Sequence, residues 1–302
     1  MTYQPTAIED DFKKLPKLPS WVTSGRAETP EDVAFLSGAA LAHLHLVVAR
    51  PDVPQDLLRA RLALRAAEVC VTHSGRPERA ADLRDAVGFL QPGDHAGPAG
   101  VVYQSWQRVI ERPVSIKVIH RALPDLQPEQ IATWLDGCDP RGARQGAPIS
   151  RVAGVLQTAL ADRPRDHTEA VLLADATLAQ VLGWSHVTPL LGLSFKRGDL
   201  RKSDEGLRLT CHQAMVAAVA EATRLATDLT RRASRLRAVA PKLRARGAEE
   251  AVSQLLTQDA VAPTSLTSLR SDRAARRFCD RLVDLGAVRE LTGRDTFRLY
   301  GV

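Results

Sequence analysis

The sequence predicts a mostly α-helical protein, with a multi-helix N-terminal body followed by a C-terminal winged helix-turn-helix of three helices and one β-hairpin. Three observations favour this fold. Aromatic residues make up only 4% of the 302 residues, and strand-forming runs are scarce beside the helix-favouring Ala, Leu and Arg. Helix-start signals recur along the chain. The period of the apolar residues switches from 3.6 to 2 only after Gly286, close to the C-terminus.

The chain should begin with an irregular arm over residues 1–28, where several prolines interrupt any regular pattern. The helical body then starts at Thr29, which can cap a helix that has Pro30 at its first position. This first helix is apolar almost all round, which indicates burial between neighbouring helices. A second helix is expected over residues 55–73.

Three charged residues lie on one stripe of the second helix, because Arg61, Arg65 and Glu68 are spaced at i, i+4 and i+7. A local Arg–Glu pair explains this stripe, so it predicts no site. Residues 137–148 are rich in Gly and Pro and form a candidate sub-boundary within the body, which spans residues 29–246. The further helices of the body are expected over residues 77–90, 97–110, 116–122, 128–135, 150–161, 165–182 and 207–240.

Two features of the body could carry chemistry. Residues 91–100 form a glycine-rich loop before a helix, and helix N-termini can bind anions. No strand precedes this loop and no Lys-Ser/Thr follows it, so a structural turn is favoured. Asp175 lies in an apolar helix, and a buried carboxylate can be catalytic. No second acid or histidine stands at helical spacing from it, which favours a structural aspartate with satisfied hydrogen bonds.

The cysteines and histidines predict no metal site and no cofactor. His43 and His45 are two residues apart and point to different faces of a helix, whereas a metal pair needs a spacing of four. The chain contains no HExxH, no Gly-Lys-Ser/Thr loop and no nucleophile elbow. Whether it is an enzyme stays open, and binding is favoured over catalysis. The four cysteines form no C-x-x-C pair and stand far apart, at Cys70, Cys138, Cys211 and Cys279.

Residues 247–302 have the pattern of a winged helix-turn-helix. Ser271 can cap the third helix of this segment, and Gly286 can end it. The alternating residues that follow are the strongest strand signal in the chain. The expected elements are helices over 248–258, 264–269 and 273–285, and strands over 287–291 and 296–300 that are joined by residues 292–295.

The positive charge of the chain is concentrated near its C-terminus. Residues 231–302 hold 15 basic and 8 acidic residues, a net charge of +7, whereas residues 1–230 hold 26 and 27, a net of −1. Such a one-sided field attracts polyanions, and arginine suits both guanine edges and phosphates. The alternative is a solvated helix face. The candidate DNA-binding residues are Arg273, Arg276, Arg277 and Arg281 on the third helix, Arg294 and Arg298 on the hairpin, and Arg235 and Arg244 in the basic stretch that precedes residues 247–302.

Several runs in this sequence are similar to one family. They are RPERAADLRDAV with GDHAGPAG, LLADATLAQVLGW, VAPKLRARGAEEAV and SDRAARRFCDRLVDLGAVRELTGRDTFRLYG. Together they resemble an uncharacterised bacterial family, domain of unknown function 1403, from about residue 50 to the end. The run LGAVRELTGRDTFRLY is also similar to the winged helix that ends many Fic-type proteins. Those enzymes transfer nucleotides with a His-Pro-Phe…Gly-Asn-Gly-Arg loop, which this sequence lacks, so no catalytic residue is implied.

The sequence therefore predicts a DNA-binding protein that acts in transcription regulation or replicon maintenance. The expected partner is DNA, and no association with a membrane is expected. A homodimer is one possible form of the protein. The alternative is an enzyme or ligand sensor with a pocket in the helical body, whose winged helix docks a protein partner. The acidic start of the chain does not resemble a signal peptide, so a cytoplasmic location is expected.

Overall fold

The computed structural model describes residues 15–25, 28–91, 93–136 and 147–302. The α-helices of these residues are α1 (Ser20–Ser24), α2 (Pro30–Val48), α3 (Gln55–His73), α4 (Ala80–Gly88), α5 (Gly97–Ile110), α6 (Ile116–Ala122), α7 (Pro128–Asp136), α8 (Pro148–Asp162), α9 (His167–Val181), α10 (Leu191–Ser194), α11 (Asp204–Val239), α12 (Ala248–Thr257) and α13 (Asp272–Asp284). Two strands follow them, β1 (Arg289–Glu290) and β2 (Tyr300–Gly301). The mostly α-helical fold is confirmed.

Local signals set many helix ends where the sequence predicts them. The Thr29 side chain accepts a hydrogen bond from the Asp32 backbone N–H, and Asp32 accepts one from the Thr29 backbone N–H, which closes a capping box at the start of α2. Helices α3, α5 and α6 have the predicted bounds. Within the predicted irregular arm, the short helix α1 forms and packs on α2. Most of the predicted linker, residues 137–146, lies outside the described residues.

A single hydrophobic core runs through the described residues, from Leu15 to Val302. The long helix α11 packs along α2 and α8. It can approach both closely because small residues, among them Ala218 and Ala222, lie on its buried face. Helix α3 packs against α5 on one side and against α12 on another, so the C-terminal segment is attached to the body through α3.

Helix α2 is long and apolar enough, by length and composition, to cross a membrane, with a mean hydropathy of 1.3. The Gly, Ser and His residues of α2 lower its mean hydropathy too little to interrupt the apolar stretch. The buried side chains of α2, such as Ala40, Leu44 and Val47, lie on one stripe, and the helix packs on α11. This arrangement is that of a core helix with one face exposed.

Asp175 is fully buried in α9, and its carboxylate accepts three backbone hydrogen bonds. The donors are the N–H groups of Leu190, Leu191 and Gly192, at 3.1, 2.9 and 3.2 Å, at the start of α10. The prediction of a structural aspartate with satisfied hydrogen bonds is confirmed. This contact joins α9 to the segment that follows it and satisfies N–H groups that no helix bond reaches.

Candidate nucleic-acid interface

The C-terminal segment begins with α12, which buries Val252 and Leu255 and packs on α3. The chain then extends, and Val261 forms an antiparallel bridge with Tyr300, exchanging two hydrogen bonds of 2.8 and 2.9 Å. The predicted short helix over 264–269 is instead a single 3₁₀ turn, Pro263–Ser265. Proline at the first position supplies no N–H, and only the i+3 bonds of this turn form.

Tyr300 also pairs with Glu290 on its other side, so the strand β2 lies between β1 and Val261. The strands are shorter than the alternation predicts. Glu290 turns its carboxylate onto the backbone N–H groups of Thr292 and Gly293, at 2.8 and 2.7 Å, just beyond a last hairpin bond from the Leu291 N–H to the Leu299 carbonyl oxygen at 2.8 Å. Phe297 has a φ of +53°, a left-handed conformation that cannot continue a strand.

Helix α13 divides cleanly into a buried and an exposed face. Ser271 caps it by accepting from the N–H of Ala274, at 3.3 Å. Its buried side chains pack towards the 3₁₀ turn and β1, and they are Ala275, Phe278, Cys279 and Leu282. Its exposed arginines are Arg273, Arg276, Arg277 and Arg281. Within the described residues, none of these four guanidinium groups forms an ion pair, so each remains available to an anion.

The two hairpin arginines differ from those of α13, because both have partners inside the protein. Arg294 pairs with Asp85 of α4, and its guanidinium lies 5.8 Å from the ring centre of Phe89. Arg298 lies 3.7 Å from Asp280 and 3.6 Å from Asp295, and its Nε donates to the carbonyl oxygen of Arg294. The hairpin tip is therefore held against the body.

Arg235 of α11 reaches the C-terminal end of α13, where its Nη2 donates to the Leu285 carbonyl oxygen at 3.3 Å. A Cβ on Gly286 would lie only 2.7 Å from this nitrogen, so glycine there admits the guanidinium as well as the φ of +61°. Arg244 is exposed beyond α11. Arg235 shares a cleft of about 220 Å³ with three further arginines, Arg231, Arg232 and Arg289.

This cleft lies at the C-terminal end of α13, whereas Arg276 lies on its N-terminal half and lines a different cavity, with Phe89 and Phe297. Leu285 lies nine positions after Arg276, which is about 13 Å along a helix axis. Arg276 and the arginine cleft therefore lie towards opposite ends of α13.

An ion-pair network that the sequence does not reveal fixes the C-terminal segment to the body. Asp259, whose side chain is 3% exposed, pairs with two arginines. Arg61 Nε of α3 lies 2.7 Å from Asp259 Oδ1, and Arg84 Nε of α4 donates to Asp259 Oδ2 at 2.5 Å. Arg61 Nη2 also donates to the carbonyl oxygen of Val302 at 3.2 Å.

The interpretation of the α3 stripe as a local Arg–Glu pair is thus wrong, because Arg61 pairs with Asp259 and Arg65 with Glu221 of α11. Both partners are more than 150 residues away in sequence. Among the described residues, no group of three or more His, Cys, Asp or Glu side chains could hold a metal ion.

The sequence of this chain matches a family described as protein of unknown function (DUF1403) over residues 6–302. The chain belongs to this family. The match covers the helical body together with the C-terminal segment, so the two occur together in DUF1403 proteins. No curated protein matches the chain.

Proposed function

We propose that this DUF1403 protein binds double-stranded DNA through residues 247–302, folded as a winged helix-turn-helix, and acts in transcription regulation or replicon maintenance. The order of elements supports this proposal: α12, the bridge at Val261, a short turn, α13 and a hairpin whose second strand lies between the first strand and Val261. In this class of domain the last helix enters the major groove and the hairpin lies beside it.

The observation that carries the proposal is the exposed face of α13. Arg273, Arg276 and Arg277 lie on its N-terminal half, the part of a recognition helix that contacts base edges. A free guanidinium can form two hydrogen bonds with guanine or one bond to each of two phosphate oxygens. The acidic Asp280 of this helix accepts a hydrogen bond from the Tyr300 hydroxyl at 3.1 Å, which directs it to the hairpin.

Arg294 and Arg298 contribute less in this proposal than the sequence alone suggests. Contact with a phosphate would compete with a carboxylate that each of them already holds, Asp85 for Arg294 and Asp280 for Arg298. Their role is to hold the hairpin in place. The arginine cleft around Arg235 and Arg289 is a second surface for the DNA backbone, since phosphate contacts add affinity without sequence information.

Replacing both Arg276 and Arg277 with alanine tests the proposal. Full-length protein should bind a fluorescent mixed-sequence duplex at low ionic strength, and a plot of log K against log[salt] should be linear. The double variant should bind more weakly and lower the slope by about one unit for each lost phosphate contact, or cost about 1–3 kcal/mol for each lost base contact at a preferred site. Fluorescence anisotropy measures both quantities.

Each single variant, Arg276→Ala and Arg277→Ala, is compared with the control Arg165→Ala, which removes one exposed arginine between α8 and α9 in the body. The control should bind as the unmodified protein does. The proposal fails if the unmodified protein shows no salt-dependent binding, or if the double variant and the control are indistinguishable. A protein-docking role for this segment predicts these two outcomes.

A further inference from the structure

A cavity of about 620 Å³ lies where α3, α4 and α5 of the body meet the end of α12. We name it the seam cavity; it is lined by Arg59, Arg84, Tyr103, Arg108, Thr257 and Asp259, among others. Small-molecule sites in proteins have volumes of about 300–1,000 Å³ and join an apolar lining to a few polar groups. Val87 and Ile110 supply apolar lining here.

Two arginines of this cavity have hydrogen-bonding capacity that the protein does not use. The Arg59 side chain is 13% exposed, and its Nε is buried without a hydrogen-bond partner, although its Nη2 pairs with Asp56. Burial lowers the pKa of Arg59, since the one carboxylate does not offset the loss of water. Arg108 is half-buried and forms no ion pair within the described residues. Buried donors without acceptors are rare and indicate an absent partner.

The carboxylates that line the seam cavity are already neutralised. Asp259 is held by Arg84 and by Arg61, and Asp56 by Arg59. Glu111 lies 3.4 Å from Arg121. Asp259 is shared by two arginines, so the positive charge that no carboxylate offsets belongs to Arg108 and to the second arginine at Asp259. An anion that entered the cavity would meet donors, and no free carboxylate would repel it.

Tyr103 adds a neutral donor to the same wall. Its side chain is 3% exposed, and burial raises the pKa of Tyr103, so the hydroxyl stays protonated. It interacts with Gln107, which also lines the cavity. A phenol and an amide beside two guanidinium groups are donors suited to the oxygen atoms of a carboxylate or a phosphate.

We infer that the seam cavity binds a small organic anion, with a carboxylate or phosphate group between Arg59 and Arg108 and an apolar part against Val87 and Ile110. This inference does not depend on DNA binding. The occupied cavity would join α3 and α5 to Thr257, four residues before the bridge of Val261 to Tyr300. A ligand there would stabilise the position of the C-terminal segment on the body.

Isothermal titration calorimetry on the full-length protein tests this inference, with benzoate and phenyl phosphate as probes and benzyl alcohol as the neutral comparison. We expect saturable binding of at least one of the two anions and none of the alcohol. Benzoate alone indicates a carboxylate ligand, and phenyl phosphate alone indicates a phosphate ester. The inference is overturned if neither anion binds at concentrations up to about 10 mM, a limit that corresponds to a binding free energy too weak for a built site.

Arg108→Ala locates the binding, and Arg108→Gln does so without opening extra space. Each variant should weaken anion binding by about tenfold or more, the loss expected for one charge-assisted hydrogen bond. Arg165→Ala should bind as the unmodified protein does. Because Arg108 has no ion pair in the described residues, both variants should keep the circular dichroism spectrum of the unmodified protein. Undiminished binding in a folded Arg108 variant would place the anion elsewhere and refute the inference.

Discussion

At the scale of single residues, Asp175 shows how one buried group can both join two segments and make the stability depend on pH. Burial raises the pKa of Asp175 to about 7, and the N–H groups of Leu191, Gly192 and Leu190 act in the opposite direction. In the unfolded chain the carboxyl titrates near 3.8. Because the folded state holds this proton at higher pH, the contribution of Asp175 to the free energy of unfolding falls between about pH 4 and pH 7.

Asp175→Asn should therefore destabilise the protein in a pH-dependent manner. The amide offers one acceptor oxygen where the carboxyl serves three N–H donors, and an unsatisfied buried donor costs about 1–3 kcal/mol. The variant does not titrate, so the difference in unfolding free energy should shrink as the pH rises from 5 to 8. Urea titrations followed by tryptophan fluorescence measure it. A difference that grows with pH would mean that the folded state lowers the pKa of Asp175.

The sequence predicts that Asp175 is structural, but it does not predict the partners. Those partners are backbone groups at the start of α10, fifteen to seventeen residues away. Helical spacing identifies neighbours on the same helix, but it does not identify a loop that folds back onto that helix. The same limit applies to Arg61, for which the pattern offered Glu68 and the fold supplies Asp259.

At the scale of elements, the starts of helices follow local sequence signals, whereas the contacts between helices do not. The capping box at Thr29 and the serine cap at Ser271 fix helix starts from a few neighbouring residues. The short strands β1 and β2 show the reverse case. Their alternation is clear in the sequence, yet a left-handed Phe297 ends the pairing two residues before Leu299. The pairing of Asp259 with α3 and α4 depends on tertiary packing alone.

Asp259→Ala should be among the more destabilising single substitutions in the chain. It leaves the buried guanidinium groups of Arg61 and Arg84 without another ion pair among the described residues, and the removal of one partner from a buried ion pair costs about 3–5 kcal/mol. The control is Glu205→Ala, which breaks an exposed ion pair with Arg208 on α11 and should cost less than about 1 kcal/mol. Urea unfolding compares the two. Similar losses would show that the Asp259 network does not fix the C-terminal segment.

At the scale of the whole molecule, charge and packing divide the chain differently. The net charge of +7 over residues 231–302 against −1 over residues 1–230 predicts a separate basic unit. The hydrophobic core instead continues from the body into residues 247–302, through α12 on α3. If residues 247–302 bind DNA as proposed, they would move together with the body, because both share this core. A ligand in the seam cavity would then act on both at once.

A chain that ends after Arg246 should reveal this dependence. All four tryptophans lie before that residue, so their fluorescence reports on the helical body alone. The fragment should keep a helical circular dichroism spectrum, since β1 and β2 are removed. Its unfolding midpoint in urea should fall well below that of the full chain, because α3 loses the contacts of α12 and the apolar surface that α12 covered is exposed to water. A midpoint equal to that of the full chain would show that the two segments fold independently, and a strong sheet signal would contradict the α-helical body.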